Sequence, residues 1–236
     1  MSNVSQDFPV VFALYPGVTQ LDFTGPLELL TRLPGARVVL ACRAGGELSL
    51  PPLTLSGLTA LAEVRECALL CVPGGFGTDE AMRDAAYLAE LRRLARQARY
   101  VTSVCTGSLL LGAAGLLDGR HAACHWAFRE LLPHFGARPE EARVVRDGNL
   151  ITGGGVTAGI DMALAVFAEI AGRDAAEAVQ LALEYAPDPP FASGRPELAR
   201  AAVLQAVRER LASRWPTRRA AVEHAVAALA SARGGC

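Results

Sequence analysis

Two short apolar runs, each cut off by a Pro-Gly pair, constrain the fold of this chain more than any other feature. Residues 10–15 end at Pro16-Gly17, and residues 68–72 end at Pro73-Gly74-Gly75. Unbroken apolar runs of this length describe strands buried on both faces, as in a parallel sheet covered by helices. Residues 37–42 and 100–104 repeat the pattern. Helical segments lie between and after them. In residues 24–33, Thr24 is placed to cap, Pro26 falls in the first turn, and Leu27, Leu29, Leu30 and Leu33 form the apolar side before Pro34-Gly35. Residues 87–98 are amphipathic and Arg-rich, residues 106–114 are small or leucine up to Gly115, and residues 156–171 follow a triple glycine. This order predicts an α/β fold, a mainly parallel sheet with helices on both faces.

Residues 48–61, rich in Pro, Ser, Thr and Gly, are expected to form short strands and turns. Asp147-Gly148 between two strand-like runs is a hairpin signal. Residues 195–232 are helical in pattern, rich in Ala and Arg, and broken at Trp215-Pro216. The expected organisation is an α/β catalytic domain over residues 8–194 and a helical extension over residues 195–236, packed on the domain or on a dimer partner.

Composition removes several classes of function. A chain of 236 residues, 51% hydrophobic and 20% charged with a formal net charge of −1, has the means for a full core and no polyanion-binding surface. No nucleic-acid partner is expected. Residues 1–9 lack a basic start leading into an apolar stretch, and the run at 158–171 is interrupted by Asp161 and Glu169, short of the roughly 20 residues a membrane span needs. A soluble, cytoplasmic protein without membrane contact is expected. Six cysteines are scattered without paired spacing, and Cys67 and Cys71 have no partner pair at zinc-site distance. The expectation is therefore reduced, mostly buried thiols and no metal.

Chemistry enters where the strand at 100–104 stops. It runs straight into Cys105, and Thr106-Gly107-Ser108 then opens a helix of small residues. A strand breaking into a helix at a Cys describes a nucleophile elbow, with the sulfur above the sheet edge. The helix N-terminus is expected to lower the thiol pKa and enlarge the thiolate fraction at neutral pH. Thr106 offers an N–H and a hydroxyl to charge developing on a substrate. On the residues alone, Cys105 reads equally as a buried structural thiol. Ligands sit at the carboxyl ends of such strands, so other strand ends should converge there. Gly74 and Gly75 either bring backbone N–H groups to a ligand or make a tight turn. Asp22, between Leu21 and Phe23, is either a general acid/base in a dry pocket or a helix cap.

Four segments together resemble the PfpI-like branch of the class I glutamine amidotransferase superfamily, and within it the isonitrile (isocyanide) hydratases. They are Ser103-Val104-Cys105-Thr106-Gly107-Ser108, Pro73-Gly74-Gly75, Gln20-Leu21-Asp22-Phe23-Thr24-Gly25-Pro26 and Thr152-Gly153-Gly154-Gly155-Val156-Thr157-Ala158-Gly159-Ile160-Asp161. The resemblance extends from about residue 10 to residue 191. It implies a flavodoxin-like three-layer sandwich, a homodimer with sites near the subunit interface, and no cofactor. It also implies roles: Cys105 as nucleophile, Asp22 as the acid beside it, Thr106 as support through amide and hydroxyl, and Gly75 as a second backbone donor. Gly74, Gly155 and Val156 would meet the substrate. The implied reaction hydrates an isocyanide to an N-substituted formamide through a covalent thioimidate.

The chain departs from the branch's peptidases, which place a His where Thr106 stands, and from the glutaminases, whose late His-x-Glu is missing after Gly153. Amide hydrolysis is disfavoured accordingly. His125 is weighted toward packing or hydrogen bonding over catalysis, and Asp161 toward a satisfied structural carboxylate. Three readings compete with hydration: the ligand-sensing domain of AraC-type regulators, a cofactor-independent glyoxalase or deglycase, and redox sensing by an exposed Cys105. The first shares the Cys-Thr-Gly elbow, but residues 195–236 are short for paired helix-turn-helix units.

Overall fold

The protein is described by a computed structural model, covering residues 7–234. Cys236, expected as one of the reduced thiols, lies outside the described residues, as does the start of the polar N-terminal segment.

The sheet is built from β1 (Phe8–Ala13), β2 (Ala36–Cys42), β3 (Gly46–Leu50), β4 (Leu53–Ala60), β5 (Leu69–Val72), β6 (Tyr100–Val104), β9 (Val144–Asp147) and β10 (Leu150–Gly153), with β7 (His121–Ala122) and β8 (Arg138–Pro139) forming a separate small pair. Its order is β3-β4-β2-β1-β5-β6-β10-β9. The five strands β2-β1-β5-β6-β10 are mutually parallel, and β10 pairs with β9 through the foreseen hairpin, Leu150 opposite Asp147. Val10, Val11, Phe12 and Ala13 have no exposed surface, nor do Leu69, Leu70, Cys71 and Val72, which is why these runs carry no polar alternation.

The helices are α1 (Gln20–Leu30), α2 (Thr78–Ala81), α3 (Ala85–Gln97), α4 (Gly107–Ala113), α5 (Ala158–Ala171), α6 (Arg173–Ala182), α7 (Ala201–Ala212) and α8 (Trp215–Gly234). From β1 the chain crosses one way to β2, and from β5 the other way through β6 to β10. Right-handed crossovers in opposite directions put their helices on opposite faces. Thus α1 packs with α5, and α4 packs with α3 and α8. This is the flavodoxin-like α/β sandwich. The direction reverses between β1 and β5, opening a crevice above their carboxyl ends.

Helix α1 corrects the expected boundary. It begins at Gln20, not after Thr24, so Pro26 sits inside it and Asp22 in its first turn. The tertiary surroundings outweigh the local signal: Thr19 donates its N–H to the Gly74 carbonyl, and Gly25 and Pro26 let α1 approach Ile160 and Gly159 of α5 closely. Helix α3 starts two residues earlier than expected because the Asp84 carboxylate caps it, accepting from the Ala86 and Tyr87 N–H groups at 3.1 and 3.0 Å. The break in the C-terminal helices falls just before Trp215, which opens α8.

Candidate active site

Three strand ends converge as expected. Cys105 follows β6 with a φ of 59°, a left-handed conformation that costs a non-glycine residue about 1 kcal/mol or more. It is held by its surroundings: its N–H donates to the Gly154 carbonyl at 2.7 Å, and its carbonyl accepts from the His125 N–H at 3.3 Å. The β10–α5 loop thereby fixes the elbow. Across the crevice, the loop after β5 comes so close that a Cβ on Gly74 would lie 2.4 Å from the Thr106 nitrogen and 2.9 Å from Asp22 Oδ2. Only glycine fits there.

Asp22 is fully buried. Its Oδ2 accepts from the Gly74 N–H at 2.9 Å, and its Oδ1 is buried with no hydrogen-bond partner among the described residues. Burial pushes its pKa up to about 7, against the opposing pull of the Gly74 N–H and of Cys105. The alternative of a helix-capping aspartate is set aside, because α1 has Thr19 as its N-cap.

The thiol departs from expectation. Cys105 is 6% exposed, and burial, together with Asp22 and Cys124, pushes its pKa well above the usual thiol value. The Thr106 N–H acts in the opposite, lowering direction, but it is outweighed. Helix α4 is seven residues long and offers too little to counter desolvation. The premise of an exposed, acidic thiol is therefore corrected: the sulfur is buried, and that burial pushes its pKa up.

Thr106 is also more committed than its type suggests. Its Oγ1 accepts from the Gly75 N–H at 3.0 Å and lies 2.8 Å from Thr78 Oγ1. Thr78 in turn donates to the Gly75 carbonyl at 2.7 Å and lies 3.0 Å from the Tyr15 hydroxyl, which donates to the Pro73 carbonyl. The Gly75 and Gly74 N–H groups are thus engaged by Thr106 and Asp22, and neither points freely at a ligand.

A cavity of about 370 Å³ opens above the sulfur. Cys105, Thr106 and Gly75 lie at its base, Phe76, Trp126, Phe128 and Val156 line its sides, and Val207 and Leu211 of α7 close it. Gly155 instead lines an adjoining depression with Arg143 and Thr157, which Val156 also borders. His125 faces the cavity, but burial and Arg218 lower its pKa to about 4, and its Nδ1 accepts from the Ala127 N–H. It is a neutral, packed imidazole between Trp126 and Phe128. Asp161 is paired with Arg143 at 2.5 Å and accepts from the Tyr185 hydroxyl at 3.1 Å.

The sequence reading missed Tyr15, Thr78, Asp79, Arg218 and the α7 wall. One signal was present: Arg218 falls in the same helical stripe as Trp215, Ala221, Val222 and Ala225, where an apolar residue would be expected. Among the described residues no group of three or more His, Cys, Asp or Glu is gathered to hold a metal, and no helix is long and apolar enough to cross a membrane.

This arrangement, an elbow cysteine facing a buried carboxyl across a Gly-Gly loop, accompanies a match of residues 9–169 to the DJ-1/PfpI family. The chain belongs to that family. It is 50% identical over 224 residues to the isonitrile hydratase of Pseudomonas putida, covering 92% of this chain and 96% of that protein. A crystal structure of a THiJ/PfpI family protein from Pseudomonas syringae superposes with a TM-score of 0.89 at 40% identity, covering 93% of this chain and 92% of that one. The HTH-type transcriptional regulator GlxA of Rhizobium meliloti is 34% identical over 174 residues, 71% of this chain and only 53% of the regulator.

Proposed function

We propose that this protein hydrates isonitriles, R–N≡C + H2O giving R–NH–CHO, with Cys105 as nucleophile and Asp22 as proton carrier. The observation that carries the reading is the elbow Cys105 at the floor of an apolar cavity, with the buried Asp22 carboxyl held behind it on the Gly74 N–H. The 50% identity to an isonitrile hydratase over nearly the full length of both chains supports the same substrate class.

Each step needs only what the site holds. The Asp22 carboxylate takes the thiol proton as sulfur attacks the terminal isonitrile carbon, which becomes nucleophilic as the C–S bond forms. Asp22 then returns the proton to that carbon, leaving the thioimidate R–N=CH–S–Cys105. Water adds to the same carbon while the nitrogen gains a proton, and collapse expels the thiolate to give the formamide. Every atom of substrate and water is retained, and no electron carrier or metal takes part.

The Thr106 N–H, the group that lowers the thiol pKa, supports negative charge on sulfur during attack and departure. Gly75 acts through the Thr106 hydroxyl and Gly74 through Asp22. Phe76, Trp126, Phe128 and Val156 receive the apolar R group, in a volume suited to a small molecule. A homodimer acting in the cytoplasm belongs to the same reading. Support for the dimer comes from Leu181, Phe191 and Leu198, large apolar side chains 82%, 78% and 61% exposed.

The test follows loss of p-nitrophenyl isocyanide and appearance of its formamide with wild type, Cys105→Ala and Asp22→Asn. Turnover by wild type alone, with a thioimidate adduct on Cys105 seen by mass spectrometry under rapid quench, is expected. A wild type that leaves the isocyanide untouched and consumes methylglyoxal would replace hydration by glyoxalase chemistry.

A further inference from the structure

Helix α8 lies beyond the segment matched to the family, yet it delivers a side chain to the Cys105 cavity. Arg218 is 1% exposed. Its Nε donates to Asp79 Oδ1 at 2.6 Å, its Nη2 donates to the Gly75 carbonyl at 3.2 Å, and its guanidinium lies 4.3 Å from the centroid of the Phe128 ring. An anchor for α8 alone would not call for this arrangement, because a buried ion pair is generally matched or surpassed in stability by apolar side chains of similar volume. What an apolar side chain does not supply is a donor to the Gly75 carbonyl.

That carbonyl begins a chain of hydrogen bonds ending next to the nucleophile. One set of proton positions accounts for the bonds of that chain from Arg218 to Thr106. Arg218 and Thr78 donate to the two lone pairs of the Gly75 carbonyl, Thr106 donates to Thr78, and the Gly75 N–H donates to Thr106 Oγ1. Both sides of the Gly75 residue are thereby fixed, and with them the orientation of Thr106. We propose that Arg218 is a positioning residue for the chemistry at Cys105, holding the Gly75 loop so that Thr106 is correctly set beside the sulfur. The C-terminal helices are then part of the site's construction as well as its outer wall. This rests on the hydratase reading for its turnover assay, and thiol alkylation supplies a readout independent of it.

The test uses the full chain with Arg218→Met/Asp79→Asn and with Arg218→Lys. The double variant removes both charges, so neither an uncompensated Asp79 nor a change in net charge enters. Lys keeps the charge and loses the planar fork. Four quantities are read: the urea midpoint, kcat and KM with p-nitrophenyl isocyanide, and the pH dependence of Cys105 alkylation by iodoacetamide. The expected result is a double variant with a near-normal midpoint, kcat reduced about tenfold or more, KM moved less than about threefold, and alkylation at pH 8 slowed about threefold or more. Arg218→Lys should show the same shifts at smaller size, and it decides the matter if the double variant does not fold. A folded variant with wild-type kcat and a wild-type alkylation profile would reduce Arg218 to an anchor. A wild type inactive on isonitriles would remove the function, while the alkylation profiles would still decide the role of Arg218.

Discussion

Replacing Asp22 with Asn should make the protein harder to unfold at pH 8 while abolishing turnover. A carboxyl moved from 3.8 to about 7 by folding costs about 4 kcal/mol when it is ionised. The folded state holds this proton more tightly than the unfolded chain does. The cost is therefore small near pH 4, where the folded carboxyl is protonated and the unfolded one is only about half ionised. It grows as pH rises to about 7 and is nearly complete by pH 8. Asn carries no charge, its carbonyl can keep the Gly74 N–H bond, and its amide replaces the oxygen that has no partner. The variant should exceed wild type by about 0.5 kcal/mol at pH 4 and about 4 kcal/mol at pH 8. In a domain of this size that is a rise in melting temperature of about 10 °C at pH 8. Urea unfolding of both proteins, followed by circular dichroism from pH 4 to pH 8, measures the difference directly. Equal stabilities at pH 8, or an advantage largest in acid, would refute the assignment of a desolvated, ionising Asp22.

Gly74→Ala should lower stability by about 1–3 kcal/mol and remove activity, because the new methyl group meets both the Thr106 backbone and the Asp22 carboxyl; differential scanning calorimetry beside the isocyanide assay checks both. The kcat/KM profile should be bell-shaped, rising through about pH 7 as Asp22 becomes able to accept the thiol proton and falling only in strongly alkaline solution, as the second proton of the pair is lost. A limb near 6.5 that disappears in His125→Gln would contradict the neutral His125 described here. Leu211→Ala should enlarge the cavity and raise KM for small alkyl isonitriles several-fold, with little change for aryl ones, measurable by steady-state kinetics on a substrate series.

The strands were legible because burial on both faces leaves a local mark, as in residues 10–15 and 68–72, and the elbow was legible because a strand meeting small helical residues at Cys105 is also a local event. The hairpin at Asp147-Gly148 belongs with these. The edges of α1 and α3 were less legible: a proline at position 26 argued locally for a later start, and contacts with α5 and with Gly74 overruled it. The site divides in the same way. Its residue types, Cys105, Asp22, Thr106 and the Gly-Gly loop, could be picked out along the chain. The direction in which its thiol's pKa is pushed could not, since the helix-terminus argument is local whereas the opposing desolvation comes from every element packed around the sulfur. Arg218 and Asp79, separated by 139 residues, meet only because α8 folds back over α2. Sequence pattern decides what neighbouring residues do together, so it determined the elements and the chemical cast. Electric fields, cavities and the direction of each hydrogen bond depend on groups distant along the chain, and only the tertiary structure decided those.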